Sequence, residues 1–418
     1  MKLTSEEKCI DMNEQNLIKF NKLFPWFAGL SGDLLFWVAI DTLFLTVVKN
    51  FNTSQIVSLT SISLITCILL QIPLLNIIKK IGNTKSVRLG SLLLLISSIL
   101  LTLGTNYIIV VIGKILYEVA FTFQNMINVV LKNNLELQNR ENEYIKLRTS
   151  ANTIYAIATM IISFVASFMF NINNYLPMIG CITFCFVCFV LSFNMIDYSN
   201  NNCIKSKIYK ENKDKLKKIN YSKIVLFIII SYGLFYPIVN SGQSNGKLFI
   251  QQELLKNFNV EKTVLIIGLI LCISRIVRVI SNISFNKIHK KYKDKVEFLL
   301  PFLLSLSLCL MVGGYLISFS IILKIFVMSL GYIIILFIRD PFKVYLQDLA
   351  LKKAEKEQQQ SLLTTLELSR KIVRAIMSLS FTVILVNNPM IVVIIILIIL
   401  SVIEIFISLY LYRMIQES

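Results

Sequence analysis

The chain has 418 residues, of which 56% are hydrophobic and only 16% charged, and its mean hydropathy is +0.71. A soluble domain of this size cannot hide so much apolar surface, so the composition excludes an ordinary water-soluble globular protein. A formal net charge of +18 would suggest nucleic acid in a soluble chain. Here the basic residues sit in short segments between apolar runs, which is the pattern of membrane topology and not of a nucleic-acid surface.

Residues 1–24 are polar and mixed in charge, without the short apolar run and small-residue cleavage site of a signal peptide. They are expected to form a cytoplasmic tail, with a short interfacial helix around Leu17–Phe27. A spanning helix needs about 20 mostly apolar residues. Such windows lie near 25–48, 55–78, 88–106, 107–130, 150–170 and 175–196, and again near 223–245, 263–284, 297–318, 321–343, 361–386 and 389–412, which makes twelve. The one long polar stretch, at 199–222, divides them into bundles of six at 25–198 and 223–418. Its basic run Lys205–Lys223 is expected to meet anionic lipid headgroups at the membrane surface.

Loop charge sets the orientation. Alternate loops carry Lys79, Lys80, Lys85 and Arg88, then Lys132, Arg140, Lys146 and Arg148, then the central linker, then Lys287 through Lys295, then Lys352, Lys353 and Lys356. By the positive-inside rule these face the cytoplasm, and an even number of spans puts both termini there too. The opposite loops are poor in cations, with exceptions after spans one and seven, at Lys49 and at Lys247, Lys256 and Lys262.

The two halves read as copies. Lys49-Asn50-Phe51-Asn52 after span one recurs as Lys256-Asn257-Phe258-Asn259 after span seven. The segment starting at Ile77 matches that starting at Lys287, and Gly113 to Asn152 matches Gly331 to Arg370 in length and layout. Three matches in order, each six spans apart, indicate a duplicated six-helix unit. The frame of six plus six spans, with a basic central loop and basic loops after spans two and eight, resembles the major facilitator superfamily. That family's loop after span two usually reads Gly-x-x-x-Asp-Arg/Lys-x-Gly-Arg-Arg/Lys. Here Lys80 and Gly82 match, Leu75 and Lys79 stand where the first Gly and the Asp would be, and Asn83 and Thr84 replace the basic pair.

The resemblance implies an all-α membrane protein in which spans one, four, seven and ten line a cavity, flanked by two, five, eight and eleven. Ionisable residues within spans are costly and usually face such a cavity or a partner. On these spans lie Asp33, the Lys114 and Glu118 pair four residues apart, Arg275 and Arg278, and Glu367, Arg370 and Arg374 on one helix face. Arginines are suited to bidentate recognition of a carboxylate or phosphate. Candidate substrate contacts are therefore Asp33, Lys114, Arg275, Arg278, Arg370 and Arg374, joined by Tyr236, Asn240 and Gln243 from the polar outer half of span seven. By the repeat, Asn240 corresponds to Asp33. Pro237, Gly242 and Gly246 make a break in span seven one reading of that stretch, an ordinary outer helix end being the other. Asp33, Glu118 and Glu367 are candidates to carry a coupling proton, because an apolar setting disfavours the charged form of a carboxyl group. A purely structural ion-pair network joining spans eight and eleven is the competing reading of the arginines.

No phosphate-binding loop and no nucleophile elbow is present, so neither ATP-driven nor hydrolytic chemistry is expected. The one histidine, His289, sits in a basic loop, and although Cys181, Cys185 and Cys188 share a helix face, neither metal, cofactor nor a disulfide framework is expected. The expected function is a secondary active transporter in a cytoplasmic membrane. It would move a small anionic or zwitterionic organic solute by alternating access with proton coupling, as a monomer. A drug exporter, a flippase for lipid-linked substrates, and a non-transporting receptor or scaffold on the same fold stay open as alternatives.

Overall fold

The computed structural model describes residues 5–140, 143–198, 222–292, 295–353 and 359–416. Most of the linker at 199–222, including Cys203, and the side chains of Cys9 and His289 lie outside the described residues. Among the described residues every regular element is helical. They run α1 (Ser5–Leu30), α2 (Leu35–Leu43), α3 (Thr53–Ile81), α4 (Asn83–Leu103), α5 (Tyr107–Gln124), α6 (Ile127–Leu137), α7 (Tyr144–Ile172) and α8 (Leu176–Ser192). They continue with α9 (Lys223–Asn257), α10 (Val260–Tyr292), α11 (Val296–Leu316), α12 (Ile321–Lys353), α13 (Gln359–Asn387) and α14 (Met390–Gln416). Ten helical stretches are long and apolar enough to cross a membrane. Two others differ in kind: α8 is apolar but has 17 residues, and α13 has 29 residues with Glu367, Arg370, Lys371 and Arg374 in its course.

The chain forms two compact units, one of Met1–Ile40 with Thr66–Asp214, the other of Asp41–Ile65 with Lys215–Ser418. The first two spans therefore each contribute to both.

In the first unit, α1 does not lie apart as an interfacial helix. Phe20, Phe24 and Phe27 recur at helical spacing, and all three are buried against Val87, Ile127, Val130, Leu131 and Leu135. Burying three such rings contributes about 1.5–3 kcal/mol each, enough to draw α1 into the core. At Gly82 the backbone has φ +82°, a conformation that favours glycine, so the one glycine of the loop motif is fixed by geometry. The two residues that replace the family's basic pair serve Asp197, which is buried. Asn83 donates to its carboxylate at 2.8 Å, Asn133 donates to the same oxygen at 2.9 Å, and its own backbone N–H donates to Thr84 Oγ1 at 2.8 Å. Neutral groups thus tie the loop after span two to the end of span six.

The second half of the chain repeats details of the first. Ser97 on α4 donates to the carbonyl of Gly113 on α5, and a Cβ at Gly113 would lie 3.1–3.2 Å from Leu100 and Leu101. At the matching position, a Cβ on Gly331 of α12 would lie 2.4 Å from the carbonyl oxygen of Ser307 on α11. The repeated Lys-Asn-Phe-Asn also does the same work twice. Asn52 accepts from the backbone of Gln55 at the start of α3, and Asn259 accepts from the backbone of Lys262 at the start of α10, so each caps the second span of its half.

Lys247 and Lys256, expected in a loop, lie inside α9. Their charges are matched there. Buried Lys247 donates to Asp41 at 2.6 Å, and Lys256 pairs with Glu253, which also takes Lys324 at 2.8 Å.

Candidate functional site

Two groups of buried polar residues stand out, one in each unit.

In the first unit the helix breaks at the first intramembrane carboxylate. The backbone ladder of α1 ends with Ser31 N–H donating to Phe27 O and resumes with Val38 N–H donating to Leu34 O. The carbonyls between are left out of the ladder, and the Leu34 N–H is taken instead by Asp33 Oδ1 at 2.8 Å. Ser31, Gly32 and Asp33 are poor helix formers in sequence, which is why the break falls here. Tyr117 donates to the same Asp33 oxygen, and Tyr155 donates to Oδ2 at 3.2 Å. Tyr117 also links Asp33 to the Lys114 and Glu118 pair. The Lys114 ammonium lies 3.8 Å over the Tyr117 ring and 3.7 Å from Glu118. Against the break lies a cavity of about 10 Å³, space for one water-sized sphere, lined among others by Ser31, Asp33, Ser91 and Gln124.

Span seven behaves differently. α9 runs unbroken through Pro237, Asn240, Gly242 and Gly246. Gly246 faces Met311, where a Cβ would lie 2.8 Å from the methyl carbon, so it serves close helix packing and not a break. The helix instead presents side chains. Gln243 accepts from Arg339 at 2.6 Å, Tyr236 packs under the Arg370 guanidinium at 5.2 Å, and Tyr232 stacks on Tyr236 with ring centres 5.4 Å apart. Tyr232 also donates to Glu367 at 2.8 Å. Asn240 is half-buried, and its side chain makes no hydrogen bond among the described residues.

Around these residues the second unit gathers its charges. Arg278 on α10 holds Asp340 on α12 in a two-pronged contact, at 2.5 and 3.2 Å. Arg339 stands 4.0 Å from the same carboxylate, and Arg370 pairs with Glu367 at 2.6 Å. Arg374 is half-buried one turn beyond Arg370 on α13. Arg275 differs from the rest. It is 4% exposed, it forms no ion pair among the described residues, and its Nε has no hydrogen-bond partner. Tyr332 stands within electrostatic reach of Arg275, Arg339 and Asp41, which brings Arg275 into the same neighbourhood. Counted among the described residues, Lys247, Arg275, Arg278, Arg339 and Arg370 stand against Asp41, Asp340 and Glu367, which leaves two cations in surplus before Arg374 is added.

The structure thus brings together Asp33, Lys114 and Glu118 in one unit, and Tyr236, Gln243, Arg275, Arg278, Arg370 and Glu367 in the other. Tyr117 and Tyr155 carry parts of these networks that the sequence does not single out, because a tyrosine in an apolar run reads as core. Arg339 and Asp340 are visible in the sequence as charges next to Pro341, and the helix-spanning contacts make them part of the cluster.

No protein-family model and no curated protein matches the sequence. Solved structures do match the fold. The nucleoside transporter NupG aligns over 94% of this chain and 99% of its own at TM-score 0.71 with 14% identity. A bacterial homologue of the iron transporter ferroportin in an inward-facing state aligns over 94% and 99% at TM-score 0.70 with 13% identity. The POT family transporter PepTSo aligns over 95% and 98% at TM-score 0.66 with 12% identity. The chain is a multi-pass membrane protein with the fold of these transporters, in keeping with the resemblance to the major facilitator superfamily.

Proposed function

We propose that the chain is a secondary active transporter of a small organic anion in the cell membrane, with twelve spans and both termini cytoplasmic. It works as a monomer by alternating access, and its cytoplasmic basic loops meet anionic lipid headgroups. The observation that carries the substrate class is Arg275. A buried guanidinium with no carboxylate paired to it among the described residues is unfavourable on its own and favourable once an anion arrives. Arg339, held by Gln243 and only loosely by Asp340, supplies a second donor group beside it. Tyr232 and Tyr236 add a flat apolar surface for an organic body. The surplus of two positive charges disfavours a metal cation as the cargo of this site and gives a neutral nucleoside no counterpart for the charge.

Coupling falls to the intramembrane carboxylates. Of the three carboxylates proposed for coupling, Glu118 is engaged with Lys114 and Glu367 with Arg370, and Asp33 has no cation bonded to it among the described residues. The test is counterflow in proteoliposomes loaded with single members of a panel of organic anions, amino acids, nucleosides, sugars and lipophilic cations. Exchange of an anion that disappears in Arg275→Met supports the reading. Exchange confined to cations or neutral solutes, with Arg275→Met unaffected, overturns the substrate class.

A further inference from the structure

The structure assigns to the break in span one a binding site for a single monovalent metal cation, of which sodium is the representative. This deepens the transporter reading, on which its role as coupling ion rests; the binding itself is a property of the folded chain.

Four observations converge on it. The first is the backbone. Between Phe27 O and Leu34 O the ladder is open, so carbonyl oxygens at the C-terminal end of α1 have no backbone donor in this stretch, which includes Asp33. Carbonyls freed at a broken span, together with the negative end of the half-helix dipole, are what a small hard cation takes as ligands in a membrane interior.

The second is size. The cavity at the break, about 10 Å³, holds one water-sized sphere, which admits an ion or a water and excludes any organic solute.

The third is donor chemistry. Ser31, Asp33, Ser91 and Gln124, all oxygen-bearing, are among the residues that line the cavity, whose wall is otherwise apolar. The Gln124 amide nitrogen is already spent on Ser91 Oγ at 2.7 Å, so its carbonyl oxygen is the end left to offer. Cys185 and Cys188 also line the wall, but no three His, Cys, Asp or Glu side chains converge to hold a metal among the described residues. That argues against a thiolate site for a transition metal, and the thiols serve as apolar wall.

The fourth is charge. Asp33, Lys114 and Glu118 form a connected group with two carboxylates and one ammonium, and Lys114 is already shared between Glu118 and the Tyr117 ring. One negative charge is left over in a buried position, which one monovalent cation balances and a divalent one overshoots. The groups aimed at Asp33 are a backbone N–H and two tyrosine hydroxyls, all donating, an arrangement built around a carboxylate.

The experiment is equilibrium binding of radioactive sodium to the purified full-length protein in detergent, with choline chloride holding ionic strength constant and no organic substrate present. Saturable binding is expected in the wild type, displaced by unlabelled sodium and unaffected by choline. In Asp33→Asn it is expected to weaken about ten-fold or more, the loss of one directly bonded charge. Should Asp33→Asn fail to give a monodisperse helical protein, Gln124→Leu and Ser91→Ala remove neutral ligands and are expected to weaken binding by smaller factors. Three results would overturn the assignment: no saturable sodium binding in the folded wild type, binding unchanged in folded Asp33→Asn, or displacement of the label by zinc or copper far below the sodium concentration. Because no substrate is used, each of these leaves the anion counterflow assay to decide the transporter reading separately.

Discussion

Spans one and seven open the two halves of the repeat, and Asp33 and Asn240 correspond within it, yet the two spans make polar sites by opposite means. Span one breaks its helix at Asp33, frees backbone carbonyls and surrounds one small cavity with a surplus negative charge. Span seven stays helical for 35 residues, with only the ladder bond at Pro237 missing, and its site is built from side chains of α9, α10, α12 and α13, with cations in surplus. A backbone site is small and suits a bare ion. A site of guanidinium groups and stacked tyrosine rings is larger and suits an organic anion. The two halves share a frame, visible in the helix caps and the crossing glycines, while their chemistry differs in the sign of the unbalanced charge.

The comparison is broken most severely at Arg275. If this arginine awaits an anion, Arg275→Met removes a buried charge without a partner, so the substrate-free protein should melt at the same temperature or higher. Anion binding should fall by about 2–5 kcal/mol, the range for truncating one member of a buried charge pair. If Arg275 is instead a structural member of the network, the substrate-free protein loses stability, and paired melting and binding measurements separate the two cases.

A second comparison lies in the crossings. Gly331 sits against a backbone oxygen at 2.4 Å for an added Cβ, whereas at Gly113 the nearest atoms are at 3.1–3.2 Å. A backbone cannot swing aside as a side chain can, so Gly331→Ala must part α11 from α12 at a cost of about 1–3 kcal/mol or more. Gly113→Ala needs only a small adjustment near Leu100 and Leu101 and should cost clearly less. Thermal unfolding of the two variants in one detergent checks the order, and equal losses would show that the two crossings are alike.

Much of this frame is legible in the sequence because membrane burial writes itself as length and hydropathy. The apolar windows locate the helices, and the repeated Asn52 and Asn259 mark true helix starts. What stays hidden depends on tertiary contact. The break in span one falls at Asp33 and not at Pro25, which sits inside α1, while span seven, which has Pro237 and several glycines, stays helical, with Gly246 occupied in packing against Met311. Tyr117 and Tyr155 reach Asp33 across 84 and 122 residues of chain, a distance that periodicity does not carry. Lys247 reads as a loop cation until Asp41 is seen beside it.

The smallest effect tests the repeat itself. Asn52 and Asn259 cap the second span of each half, but not equally. Asn52 accepts from the Gln55 N–H at 2.8 Å while the Gln55 side chain accepts from the Asn52 N–H at 3.0 Å, a reciprocal arrangement that satisfies two backbone donors. Asn259 accepts from the Lys262 N–H at 3.1 Å, and lysine has no acceptor to return the bond. Both sites are exposed, which keeps the values modest. Asn52→Ala should cost about 1 kcal/mol and Asn259→Ala about half as much. Lys262→Gln, which gives the second half the pairing of the first, should recover a few tenths of a kcal/mol, and it should do so only while Asn259 is present. Melting temperatures of Lys262→Gln alone and combined with Asn259→Ala decide this: a gain that survives the loss of Asn259 would assign it to the removal of a surface charge and not to the cap.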